Sequence, residues 1–135
     1  MLIAYTVEGH PAPQGSKRHV GNGRLIEASK RLKPWRDEVI RVTQQMADTV
    51  DQLEGPLYVR LEFRVPRPKT VTRDYPVTRS SGDLDKLIRG VFDGIQIGGL
   101  IADDSNIIDV RASKRYASNP GVTIYIDKIG GLDEV

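Results

Sequence analysis

Aspartates crowd one stretch of this chain. Asp83 and Asp85 stand in Gly82-Asp83-Leu84-Asp85-Lys86-Leu87-Ile88, followed by the pair Asp103-Asp104 and by Asp109. Carboxylates gathered by a fold repel one another, so an arrangement that keeps them needs a compensating charge. A divalent cation supplies it, and oxygen-only, carboxylate-rich sites suit Mg²⁺ or Mn²⁺. An EF-hand for calcium is excluded, because its glycine and its closing glutamate would fall on Ile88 and Gly94. Taken singly, each acid has a plainer reading. Asp83 could cap a helix, Asp85 could be a first-turn acid paired with Arg89, and Asp103-Asp104 could be a polar turn.

Other chemistries fall away. With no cysteine, there is no disulfide, thiol nucleophile or zinc–thiolate site. His10 and His19 lie in a glycine- and proline-rich stretch without metal-ligand spacing, and no chemistry is assigned to them. The chain has no phosphate-binding glycine loop, dinucleotide fingerprint or serine-nucleophile elbow.

Charge is segregated along the chain. Eight bases face three acids between His10 and Arg41, and six face two between Arg60 and Ser80, whereas Asp83 to Asp109 holds six aspartates against Lys86 and Arg89. The net charge is +2 and the pI about 9.0. An acidic centre flanked by basic segments suits a polyanion held by its flanks while its backbone meets a metal. The basic residues expected to hold phosphate are Lys17, Arg18 and Arg24 near the front, then Arg67, Lys69, Arg73 and Arg79.

The elements that must position these groups follow from periodicity. Residues 2–8 alternate as a strand, and Gly9 to Gly23 reads as a long loop. A helix is expected from near Ser29 or Lys33, with Pro34 in its first turn and Trp35, Val39, Val42, Met46 and Val50 on a buried face. Leu57 to Val65 alternates with period two. Arg67 to Gly82 then reads as a flexible basic arm. Asp83 is a good N-cap for a second helix whose apolar stripe is Leu84, Leu87, Ile88, Val91, Phe92 and Ile95, closed by Gly98-Gly99. Asp85, Arg89 and Asp93 lie opposite that stripe. The helix length suggests that Asp103-Asp104 returns to the end where Asp83 stands. A strand from Asn106 to Tyr116, with Ile108, Val110 and Ala112 on one face, and a strand over Val122 to Ile126 read as a hairpin. The expected fold is α+β: one domain over 1–129 in βαβαββ order, a mixed sheet with two main helices, and a loose tail at 130–135. No apolar run approaches a membrane span and the start lacks a basic leader, so a cytoplasmic protein is expected.

The segments Gly82-Asp83-Leu84-Asp85-Lys86-Leu87, Val91-Phe92-Asp93-Gly94 and Leu100-Ile101-Ala102-Asp103-Asp104-Ser105-Asn106-Ile107-Ile108-Asp109 resemble the RusA family of Holliday-junction resolvases. That family is found in bacteria and their phages. The front is similar too, in Ser16-Lys17-Arg18 and Trp35-Arg36-Asp37. The resemblance implies a homodimeric, Mg²⁺-dependent endonuclease that nicks two symmetric strands of a four-way DNA junction during recombination or repair. It assigns the metal to Asp83, Asp85 and Asp104, with Asp103 next in rank. Where well-known members carry an asparagine and, three residues on, a lysine, this chain carries Lys86 and Arg89. Arg89 supplies positive charge to a phosphate but does not titrate as lysine does. The expected chemistry is attack by a metal-bound hydroxide, with Arg89 or Lys86 offsetting charge on the leaving oxygen. The rival readings are a metal nuclease for other branched DNA or RNA, and a DNA-binding module without catalysis.

Overall fold

The strand richest in alternating apolar residues takes the middle of the sheet. The computed structural model describes residues 2–15 and 24–130. In it, β2 (Leu57–Val65) buries Leu57, Val59, Leu61, Phe63 and Val65 almost completely. It is flanked by β3 (Ile107–Tyr116) in parallel and by β4 (Gly121–Lys128) antiparallel. The strand β1 (Ile3–Glu8) pairs antiparallel with β4, so the order is β1-β4-β2-β3. Parallel neighbours need a long crossover. Here it is α2 (Leu84–Ile97), while α1 (Arg24–Ala47) links β1 to β2. The α+β class, the element order and the mixed sheet are as the periodicity indicates. Among the described residues, no helix is long and apolar enough to cross a membrane.

The two helices pack through missing side chains. A Cβ on Gly94 would stand 2.5 Å from Val39 Cγ1, and one on Gly98 would stand 2.7 Å from Thr43 Cβ. Beneath them, the Tyr5 hydroxyl and Thr43 Oγ1 share a buried 2.9 Å hydrogen bond that ties β1 to α1. Burial raises the Tyr5 phenol to about 12. Trp35 is buried as the anchor of α1.

Four expectations are corrected. β3 and β4 form no hairpin, because β2 lies between them. Residues 117–120 cross the end of β2, held by Ala117 N–H on the Val65 carbonyl at 3.0 Å and Arg64 Nε on the Asn119 carbonyl at 3.1 Å. The physical reason is burial: β2 has a fully apolar inner face and gains most from two neighbours, whereas β3 is mostly exposed. Second, α1 begins at Arg24, so Pro34 sits in its interior. Only one backbone donor is lost there, and Pro34 is exposed. Third, a bulge opposite Leu57/Tyr58 pairs Leu57 with Ile107 and Tyr58 with Asp109. Ile108 is therefore extra to the alternation, and Ile107 packs on the core in its place. Fourth, the basic arm ends in packed structure: Pro76, Ser81 and Gly82 are buried, and a 3-10 turn spans Arg79–Ser81.

Candidate active site

The site is organised along α2. Asp83 occupies the N-cap position, yet its side chain makes no capping hydrogen bond. Its carboxylate faces Lys86 Nζ at 3.4 Å, both groups about half exposed. Gly82, at φ +90°, turns the chain into the helix, and Lys114 of β3 fixes that turn through the Gly82 carbonyl at 2.7 Å and Ser81 Oγ at 3.0 Å. Asp85 follows in the first turn, exposed, and no ion pair joins it to Arg89 among the described residues. Neither acid is thus consumed by the plainer structural role available to it.

The other end of α2 carries a second acidic group. The Asp104 N–H donates to Gln96 Oε1 at 2.9 Å, which seats Asp104 beside the helix's last turn. Its carboxyl is raised above the usual range by burial, then by the charge and hydrogen bond of Asp103 and the charge of Asp93. Asp103 is lowered, because its side chain accepts the Ser105 N–H at 2.8 Å. Asp93 accepts a hydrogen bond from Gln14 Nε2. Gln14 in turn accepts Arg36 Nη1 at 3.0 Å and donates its N–H to the Lys86 carbonyl at 3.0 Å. The loop carrying Gln14 passes close over Gly90, where a Cβ would lie 3.6 Å from the Ala12 carbonyl oxygen.

Asp103-Asp104 therefore does not return to the end that Asp83 occupies. Ala102 N–H bonds the Leu53 carbonyl at 2.9 Å and Ile101 bridges Leu53, which pins the chain at the far end. Asp83 and Asp93 are ten positions apart, about 15 Å of helix axis. Among the described residues of one chain, no three histidine or carboxylate groups come together to hold a metal. Asp85 and Arg89 lie between the two acidic ends, and Asp109 is exposed on β3.

A family model described as "Endodeoxyribonuclease RusA" matches residues 8–127. This chain belongs to the RusA family of endodeoxyribonucleases. It is also 27% identical to an uncharacterized protein of Bacillus subtilis (strain 168), YqaN, across 94% of this chain and 96% of that protein.

The basic groups fall into several places. Lys17 and Arg18 lie outside the described residues, and Arg24 opens α1. Lys69, Arg73 and Arg79 are exposed along the 67–82 segment. Arg67 covers the Tyr116 ring at 5.2 Å and lies 3.8 Å from Asp74. Beside it a groove is lined by His10, Arg31, Thr78 and Ser80, next to the Ser81–Gly82 turn. Burial and the Arg31 charge lower His10, and Arg31 Nε is buried without a hydrogen-bond partner. Sequence reading left out Asp93 as a site acid, along with Gln96, Arg36 and Lys114. For Asp93 a signal existed, since it falls two helical steps of four beyond Asp85 on the polar face.

Proposed function

We propose that this protein resolves four-way DNA junctions by paired symmetric nicks, with Mg²⁺ or Mn²⁺ as cofactor, in the cytoplasm. The observation that carries the reading is the acid row on α2 in a chain of this family. Asp83 and Asp85 stand exposed at one end, Asp83 beside Lys86 and without a capping bond. Asp104 is held at the other under an electrostatic penalty on its anion. Such an anion gains more than an ordinary carboxylate from a nearby cation. Asp83, Asp85 and Asp104 are the essential acids in this proposal, and Asp103 sits beside them.

Arg89 lies one turn beyond Asp85 and binds the phosphate next to the scissile bond, and Lys86 screens Asp83 in the absence of substrate. The exposed bases Arg67, Lys69, Arg73 and Arg79, together with Lys17, Arg18 and Arg24, hold flanking phosphates with little base readout. A homodimer fits the substrate, because a four-way junction offers two equivalent strands. A panel of junction, flap, duplex and RNA substrates with and without Mg²⁺ tests the reading. Preferential cutting of the junction is expected. Equal or better cutting of flaps or RNA would replace the substrate, and metal-independent binding without cutting would replace the activity.

A further inference from the structure

The groove beside the Ser81–Gly82 turn carries chemistry that the cutting of DNA by the acids leaves unused. Its lining combines the cations Arg31 and Arg67, the hydroxyls of Thr78 and Ser80, and apolar surface from Val65 and Tyr116. Arg31 is the unusual member. The residue is half-buried, its Nε is shielded from water without a hydrogen-bond partner, and no carboxylate pairs with it among the described residues. A cation withdrawn from water and left unpaired costs the fold stability. A phosphate seated against its terminal nitrogens offsets that cost through charge-assisted hydrogen bonds.

We propose that this groove takes one unpaired nucleotide of a branched DNA strand. Its phosphate lies on Arg31 with the Thr78 and Ser80 hydroxyls, and its base lies against the Arg67–Tyr116 pair. Tyr75, on the same segment, gives a second stacking platform. The proposal rests on the nuclease reading for its purpose, though not for its chemistry.

The composition of the groove selects an unpaired strand over duplex. A duplex stacks its bases inside and presents backbone, so it has no use for the apolar surface of Val65 and Tyr116. An unpaired nucleotide brings a base face to that surface. Arg67 already covers the Tyr116 ring at 5.2 Å, a planar cation on an aromatic face of the kind that single-strand sites combine with basic grooves. The segment between Arg67 and the groove also leaves Tyr75 and Val77 open, at 70% and 73% exposure. Phosphate gains nothing from such side chains, whereas bases stack on them. Arg31 is recessed, unlike the exposed Lys69, Arg73 and Arg79 that a duplex surface can reach.

The place of the groove gives the nucleotide a task. Ser81 lines it too, its Oγ held by Lys114 Nζ at 3.0 Å, and Gly82 then turns the chain into Asp83. At most about 7 Å of chain separates Ser81 from Asp83. The bound nucleotide is therefore a neighbour of the phosphate presented to Asp83 and Asp85. Unstacking costs least where pairing is already broken, so the groove favours a branch point over continuous duplex.

Fluorescence anisotropy of the full chain in EDTA tests binding without cutting, with labelled oligothymidylate and a labelled blunt duplex of equal length as probes. Arg31→Gln should weaken binding of the single strand about tenfold and change duplex affinity less than about twofold. Tyr75→Ser, at an exposed position where folding is not at stake, should weaken the single strand at least about fivefold with the same selectivity. Circular dichroism melts confirm that the Arg31 variant is folded. Equal losses on single strand and duplex, or single-strand binding unchanged in both variants, would overturn the proposal. Single-strand binding lost as predicted, in a wild type that cuts no junction with Mg²⁺, would instead sink the nuclease reading and leave the groove standing.

Discussion

At the scale of single residues, Asp83 is neutral to the fold, whereas the Asp104 anion costs it stability. Asp83 makes no capping bond, so Asp83→Asn should leave thermal stability within about 0.5 kcal/mol of wild type, where loss of a true cap costs about 1 kcal/mol. Junction cleavage should vanish in that variant while junction binding persists, measured by gel shift beside strand sizing. A variant that unfolds and loses binding together would return Asp83 to a structural role. Asp104 is not neutral. Its folded-state affinity for a proton is raised, so the native state binds more protons than the unfolded chain, and stability falls as pH climbs through that interval. In metal-free buffer, Asp104→Asn should therefore melt higher than wild type at pH 7, and the gain should disappear below about pH 3. An unchanged or lower melting temperature at pH 7 would contradict that origin. Arg89→Ala should slow cutting by at least about tenfold if it stabilises charge at the phosphate; rates equal to wild type would remove it from the mechanism.

At the scale of elements, the site depends on how closely α1 and α2 approach. Gly94 sits against Val39 with no room for a methyl group. Gly94→Ala should cost about 1–3 kcal/mol by overpacking, read from denaturant midpoints at constant slope. An Ala that is neutral or stabilising would mean the helices can separate freely. Most elements were legible because their signals are local. The period-two run of Leu57–Val65 and the apolar stripe of Leu87, Val91 and Ile95 each report one buried face, and each is buried as read. What local pattern could not encode was competition among elements. Val122, Ile124 and Ile126 read equally well beside β3 or across from it, and only the burial gained by a central β2 decides the order. The position of Asp104 was hidden for a similar reason. Helix length suggests a return, but the Leu53 contact that pins Ile101 and Ala102 joins residues far apart in sequence. The acids could be singled out as candidates from the sequence, whereas their separation along α2 could not.

At the scale of the whole molecule, Asp83, Asp85 and Asp93 lie along α2 while bases occupy several surfaces. Arg60, Arg64, Arg111 and Arg115 fall in register on β2 and β3, opposite the face that the helices cover, with Glu62 among them. Arg67, Lys69, Arg73 and Arg79 line the segment leading to Asp83. Phosphate contacts of this kind make affinity fall steeply with salt, and Arg67→Ala should reduce the slope of log affinity against log salt by about one. An unchanged slope would take Arg67 out of the interface. The central claim is that the acid row on α2 serves metal-dependent cutting of branched DNA. Its most direct measurement is incubation of a labelled synthetic four-way junction with wild type and Asp83→Asn, with and without Mg²⁺, followed by sizing of all four strands. The account predicts matched nicks in two opposed strands, only with wild type and only with Mg²⁺; uncut junction in every lane, or equal cutting by the Asp83→Asn variant, would contradict it.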